Sequence, residues 1–201
     1  DTHETVGFGY VIQNLDKGRN VVYKQLQNFE KNQNKCLWFT GLPASGKSSI
    51  ASHLGKSLDK LGIKYYILDG DNLRSTVNKD LGFKQEDRIE NNRRIAHIAK
   101  MFLDSGVLPI VTTISPNKMS RTFARSLFEK DKFSLIYVDT PLEECIRRDP
   151  KNLYNDKLKH VKNITGLHSN YDIPNDYELK LNTTELSIKQ SVNRILKYLN
   201  I

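Results

Sequence analysis

Cysteine is scarce, with two in 201 residues. That excludes a small scaffold stapled by several bridges. Cys36 opens an apolar run and Cys145 lies in a helical stretch, so both read as reduced thiols and not as a disulfide or a metal site. Long hydrophobic runs are missing too, and none comes near the roughly 18 residues that span a bilayer. Asp1 to Tyr10 lack the basic start and apolar core of a secretory signal. These absences point to a cytoplasmic chain that uses no membrane. The first residue is Asp1, not Met, which suggests a piece of a longer protein. There is no internal repeat, and the frequent Asn and Lys form no low-complexity tract. The two Asn-x-Ser/Thr triplets, at Asn163 and Asn182, read as chance.

The apolar fraction of 38% and the charged fraction of 27% suit a chain that buries a core. Its length fits one domain with a modest extra segment. The net charge of +8 favours anionic partners. Lysines are scattered as on a solvated surface, whereas several arginines fall near motifs, which favours small polyanions over nucleic acid.

Residues Thr5 to Ile12 read as a strand and Gln25 to Lys35 as a linker. We therefore expect an extension over 1–30 and a domain over 31–201. In the domain, Cys36 to Thr40 is a short buried strand. A helix follows from about Lys47 to Leu61, with Ile50, Ala51, Leu54, Leu58 and Leu61 on one face and Gly62 at its end. Tyr65 to Leu68 is the second strand, Arg88 to Ser105 a long helix, and Val107 to Ile114 a third strand. A helix over Ser120 to Lys130, a strand over Ser134 to Val138 and a helix over Leu142 to Arg147 come next. Tyr177 to Leu181 is a fifth strand, and Leu186 to Leu199 marks a closing amphipathic helix. Apolar strands alternating with helices predict an α/β fold, a parallel five-stranded sheet with helices on both faces. Ligands in such folds bind beyond the carboxyl ends of the strands.

The motifs lie at those ends. Gly41, Leu42, Pro43, Ala44, Ser45, Gly46, Lys47 and Ser48 match the phosphate loop G-x-x-x-x-G-K-[ST]. Glycines let main-chain N–H groups approach phosphate oxygens at the positive end of a helix. Lys47 would reach the outer phosphates, and Ser48 would offer its hydroxyl to Mg²⁺. The nearest string to a guanine-binding signature, Asn78-Lys79-Asp80, lacks the spacer. Asp69 and Asp71 close the second strand, where they can hold Mg²⁺, take a proton from a hydroxyl, or cap a turn. Arg88 and Asn91 share one helical face, and an Arg fork suits sulfate or phosphate oxygens. Arg93 and Arg94 read as surface charge. Phe83 either stacks on a base or plugs the core. Ser115 ends the third strand and would face the cleft, meeting a phosphate or capping the next helix.

Taken together these pieces resemble adenylylsulfate kinase, a family of P-loop kinases. The resemblance runs through Trp38 to Leu42, Leu68 to Asn72, Asn78 to Phe83, Asp87-Arg88 with Glu90-Asn91, Ile114 to Pro116, Val138 to Pro141, Arg148 to Lys151, Leu153-Tyr154 and Thr165-Gly166, in family order over about residues 36 to 180. It implies transfer of the γ-phosphate of ATP to the 3′-hydroxyl of adenosine 5′-phosphosulfate, with Mg²⁺ held by Ser48 and Asp69. It implies donor contacts along residues 41–48, Ser49 and Arg148, and catalytic roles for Lys47 and Asp69. Acceptor contacts would come from Asp69, Asp71, Asn72, Arg74, Phe83, Arg88, Asn91, Ile114, Ser115, Lys151, Leu153, Lys162 and Ile164. Ser115 also matches a serine proposed in the family as a phosphorylated intermediate, although in-line transfer needs only positioning and charge stabilisation. Arg147 to Tyr171 resembles a mobile lid. Family members are commonly homodimers.

Four positions depart from the family pattern. Ile164 replaces an aromatic that sandwiches adenine, which would weaken stacking by roughly 1 kcal/mol. His168 replaces an acidic residue, Thr113 an aromatic, and Asn152 a glycine. Alternative readings are a kinase for another nucleotide acceptor and an inactive nucleotide-binding module. Thr5 to Ile12 resembles the last barrel strand of a translation-factor-type GTPase. The large subunit of sulfate adenylyltransferase ends in such a barrel, which suggests fusion or association with that enzyme.

Overall fold

A computed structural model describes residues 35–154 and 164–201. The expected strand at Thr5 to Ile12, and Lys162 in the lid, lie outside the described residues. The core begins with β1 (Cys36–Thr40), followed by α1 (Lys47–Lys60) and β2 (Tyr65–Asp69). A short α2 (Gly70–Ser75) and the long α3 (Gln85–Asp104) lead to β3 (Leu108–Thr112). Then come α4 (Lys118–Ser126), β4 (Phe133–Asp139), α5 (Leu142–Arg148), β5 (Leu179–Asn182) and α6 (Ile188–Tyr198).

The five strands are parallel in the order β2-β3-β1-β4-β5. Trp38 stands opposite Val111 on one side and Leu135 on the other, so β1 is the centre of the sheet. Successive side chains of a strand point to opposite faces. Leu37 and Phe39 therefore pack with Ile50, Leu54 and Leu58 of α1 and with Val192 and Ile195 of α6. Cys36 and Trp38 pack the other way, with Ile95, Ala99 and Leu103 of α3 and Ala124 of α4. Burial holds the Cys36 thiol well above its ordinary pKa, and both cysteines are free. Among the described residues no helix is long and apolar enough to cross a membrane.

Helix ends obey local chemistry. After α1, Gly62 takes a left-handed φ of 70° and Ile63 N–H closes onto Leu58 C=O at 3.0 Å. This wrap brings Ile63, not Leu61, against Leu58. Leu61 was expected on the buried face but is 45% exposed, because the chain leaves the helix at that residue. α6 starts with a reciprocal capping box between Ser187 and Gln190. The long helix starts three residues before the expected Arg88, and the third strand stops at Thr112, not Ile114. The helix expected from Ser120 begins at Lys118, capped by Asn117.

Leu54 is fully buried between α1 and the sheet. Leu54→Ala removes its contacts and leaves a cavity, so unfolding stability should fall by about 2–5 kcal/mol, read from the urea midpoint.

Candidate active site

The chain must turn sharply out of β1 to start α1. Gly41 does this at φ 151°, and a Cβ there would stand 2.5 Å from the Val138 carbonyl oxygen. Ala44 (φ 60°) and Gly46 (φ 100°) complete the turn. Gly46 is the N-cap of α1 and supplies no side-chain acceptor, so the first amides of the helix face an incoming anion. Lys47 lies along the loop, 8% exposed, and Nζ donates to the Gly41 carbonyl at 2.9 Å, the Leu42 carbonyl at 2.7 Å and Ser45 Oγ at 3.2 Å. Burial pulls its pKa down to about 8, and the nearby carboxylates of Asp71 and Asp69 offset only part of that cost.

The end of β2 meets the start of α1. Ser48 Oγ donates to Asp69 Oδ2 at 2.8 Å, and Thr112 Oγ1 donates to the same oxygen at 2.8 Å. Asp69 Oδ1 accepts from the backbone of Asp71 (3.1 Å) and Asn72 (3.3 Å), so Asp69 also caps α2. Burial alone would raise this carboxyl, but the bonds from Ser48, Thr112, Asn72 and Asp71 outweigh it and hold it below the usual range. Asp69 is therefore an ionised acceptor and a weak base. Because Ser48 gives its proton away, its lone pairs remain for a cation.

Beyond Asp69 lies a cationic shelf. Arg74 donates to the Gly82 carbonyl at 2.7 Å and stacks 5.0 Å from the centre of the Phe83 ring. Arg88 donates to the Phe83 carbonyl at 3.0 Å and to Thr165 Oγ1 at 2.8 Å. Burial, then the nearby charge of Arg88, lowers the Arg74 pKa, and burial lowers that of Arg88. Phe83 is 60% exposed, which rules out the core-plug reading. Asn72 is exposed, and Asp71 pairs with Lys151. Asn91 is buried and accepts from Asn78 Nδ2 at 3.0 Å, bracing the Asn78 to Phe83 segment from below. Arg93 and Arg94 pair with Glu90, as surface charge does.

Ser115 differs from its expected position. It is 1% exposed with a left-handed φ of 43°. Its hydroxyl accepts from Trp38 Nε1 at 3.0 Å, donates to Asn92 Oδ1 at 3.1 Å and touches Thr113 Oγ1 at 2.5 Å. It faces the interior, not the cleft, and Asn117 rather than Ser115 caps α4. The Ile114 carbonyl is likewise held inward, by Thr40 Oγ1 at 2.7 Å.

On the far flank Arg148 Nε donates to Glu144 Oε1 at 2.7 Å. Its Nη1 and Nη2 grip Thr183 Oγ1 (2.8 Å) and the Thr183 carbonyl (2.9 Å). A Cβ on Gly46 would stand 4.0 Å from Arg148 Nη1, so the guanidinium borders the loop. Asp149 accepts from the backbone of Leu153 (2.7 Å) and Tyr154 (2.9 Å), and the Tyr154 hydroxyl donates to the Pro43 carbonyl at 3.0 Å. Ile164 is buried at the base of the turn through Gly166, which lies so close to Leu42 that a Cβ would stand 2.9 Å from Leu42 Cδ2.

This arrangement agrees with comparisons to known proteins. The pattern of the family described as adenylylsulphate kinase matches residues 33–182. The chain belongs to the adenylylsulphate kinase family. It is 48% identical over 162 residues to an adenylyl-sulfate kinase of Bacteroides thetaiotaomicron, covering 80% of this chain and 81% of that one. It is 42% identical over 207 residues to the bifunctional enzyme NodQ of a Rhizobium species, covering 99% of this chain but 32% of that one. The structure of the Mycobacterium tuberculosis APS kinase CysC in complex with AMPPNP and APS superposes with a TM-score of 0.78 at 41% identity, over 83% of this chain and 98% of that one. The parallel sheet with helices on both faces is the fold expected for this family, and the loop meets the Asp69 end of β2 on one rim of it.

Sequence reasoning passed over Thr112 and Thr183, and gave no task to Thr140 and Thr165 although both lie in segments that resemble the family; their hydroxyls tie the loop, Asp69, Arg88 and Arg148 together. Their signal was position: three of them follow or end a strand at the rim where ligands bind.

Gly41→Ala forces a Cβ onto the Val138 carbonyl at a backbone angle that side chains avoid. We expect a loss of about 2 kcal/mol or more in a urea titration, and loss of the thermal stabilisation that a nucleotide gives.

Proposed function

We propose that the chain transfers the γ-phosphate of ATP to the 3′-hydroxyl of adenosine 5′-phosphosulfate, giving 3′-phosphoadenosine 5′-phosphosulfate. One observation carries this reading: the Ser48–Asp69 hydrogen bond joins the phosphate loop directly to the strand end that leads to Arg74, Phe83 and Arg88. A donor on the loop and an acceptor on the shelf then meet at Asp69.

Each residue has a task in that reading. Loop amides and Lys47 hold the triphosphate, and Lys47 stabilises charge as the phosphoryl group moves. Arg148 flanks the donor phosphates. Arg74 and Arg88 clamp the phosphosulfate, while Phe83, backed on one face by Arg74, offers its other face to a base. Ser48 and Asp69 are hard oxygen donors that suit Mg²⁺, which keeps several waters and needs few protein ligands. When bound, that ion neutralises charge on the phosphate oxygens. Asp69, with its lowered pKa, orients Ser48 and does not deprotonate the acceptor strongly; a loose transition state asks for little proton removal. Ser115 takes no phosphate, because its hydroxyl is committed to Trp38, Thr113 and Asn92.

Ile164 supports a second reading, a related kinase for another nucleotide, since an aliphatic wall discriminates less between bases. As for residues 1–30, the match to NodQ through 99% of the chain supports their being the end of a preceding domain in a longer bifunctional protein.

The test is ADP release with and without adenosine 5′-phosphosulfate, beside cytidine- and guanosine-based acceptors. We expect release to depend on the adenine compound. Arg88→Ala should raise its KM by about 10- to 100-fold with the ATP KM unchanged; equal effects on both substrates would refute the assignment. pH gives a separate check. The free Lys47 loses its proton as pH rises through about 8, so a complex that needs the ammonium must take a proton up. ATP affinity should then fall by up to about tenfold per pH unit above 8, with proton uptake seen by calorimetry in two buffers. Lys47→Ala should bind weakly and without that pH dependence.

A further inference from the structure

We propose that Thr183 is a positioning residue, holding Arg148 beside the phosphate loop through hydrogen bonds that run from the guanidinium, by way of Thr183 and its neighbour Thr140, to the loop itself. The inference rests on the reading of Arg148 as a donor-phosphate contact.

β4 and β5 are parallel neighbours, with Asp139 opposite Asn182. Each strand is followed by a threonine, and that register brings Thr140 and Thr183 side by side, their hydroxyls 2.6 Å apart. Thr140 Oγ1 lies 3.1 Å from the Ser45 carbonyl oxygen, which is buried. Arg148 Nη1 lies 2.8 Å from Thr183 Oγ1. A guanidinium only donates, and a hydroxyl has one proton. Thr183 Oγ1 also lies 3.3 Å from the same Ser45 oxygen. Thr183 therefore accepts from Arg148 and passes its own proton toward the loop, either to Thr140, which then donates to the Ser45 carbonyl, or to that carbonyl directly with Thr140 donating to Thr183. Each bond in such a row polarises the next.

Two consequences follow for the loop. The first concerns the Ser45–Gly46 peptide. In a planar trans peptide the N–H points opposite to the carbonyl. Fixing the Ser45 oxygen on Thr140 turns the Gly46 N–H the other way, away from the threonines. The second concerns Arg148. Thr183 accepts from both of its terminal nitrogens, through Oγ1 and through its carbonyl at 2.9 Å, while Glu144 holds Nε. Three of the five guanidinium donors are thus engaged among the described residues, and the plane of the fork is set before an anion arrives. Among the described residues Thr183 is the one side chain bonded to both the fork and Thr140, and its hydroxyl also reaches the Ser45 carbonyl.

The experiment compares steady-state kinetics of Thr183→Val, Thr183→Ser, Arg148→Ala and the double variant Arg148→Ala/Thr183→Val, with urea midpoints measured alongside. Losing a charge-assisted bond should raise the ATP KM of Thr183→Val by about tenfold, with the acceptor KM within about twofold. Thr183→Ser, which keeps the hydroxyl, should recover the donor KM to within about threefold. In the Arg148→Ala background, Thr183→Val should add less than about twofold, because its partner is gone. Three results overturn the inference while leaving the proposed reaction intact, given that Arg148→Ala itself raises the ATP KM. These are an unchanged donor KM in Thr183→Val, a serine variant as poor as the valine one, and an equal loss in both backgrounds. An Arg148→Ala enzyme with an unchanged ATP KM overturns the role of Arg148, and the inference with it. Should valine also lower the urea midpoint, the serine variant decides, since a purely structural methyl contact would not be restored by it.

Discussion

The site depends on a close approach between two backbones. Gly41 leaves the central strand with a hydrogen where any other residue would press on the Val138 carbonyl. Only with that turn can the chain reverse within a few residues and present the start of α1 at the sheet rim. Strand order does the rest. β1 lies between β3 and β4, so Asp69, Thr112 and the arginine shelf lie to one side of the loop and Thr140, Thr183 and Arg148 to the other. The amide loop thus stands between two groups of polar side chains, one on each flank.

Electrostatics explains why such a rim attracts polyanions. Arg74 and Arg88 are half-buried, and burial disfavours the charged state of each, that of Arg74 further through the charge of Arg88. Lys47 is buried further and its pKa falls to about 8. An anion on the loop relieves Lys47 and one on the shelf relieves the two arginines, whereas a neutral ligand relieves neither. The Lys151–Asp71 pair is exposed and contributes little to stability, so its partners can be exchanged for substrate at small cost. A net charge of +8 adds long-range attraction for nucleotides.

Local signals carried most of this into the sequence. A buried strand, G-x-x-x-x-G-K-S and an amphipathic helix are contiguous, and glycine and lysine there have steric and electrostatic reasons to be where they are. The five strands and their order along the chain were legible for the same reason, as apolar runs between periodic helices. Ser115 was misread because its environment is assembled from afar. Trp38 comes from β1, Asn92 from α3 and Thr113 from just past β3, and together they draw its hydroxyl inward. Thr183 was passed over, and Thr140 left without a role, for a related reason: a threonine after a strand is ordinary until the strand pairing puts it beside Arg148 and Ser45. Leu61 shows the opposite limit, where a correct period ran one residue past the end of α1 at Lys60, just before Gly62 turns the chain.

The central claim is that the phosphoryl group passes from a triphosphate on the amide loop to a hydroxyl on the arginine shelf. The most direct measurement supplies ATP labelled in its γ-phosphate together with adenosine 5′-phosphosulfate, and locates the label in the products by phosphorus NMR and mass. The account predicts a labelled phosphomonoester on the 3′ carbon of the sulfonucleotide, formed in step with ADP. Label recovered as inorganic phosphate, with the sulfonucleotide returned unchanged, would contradict it.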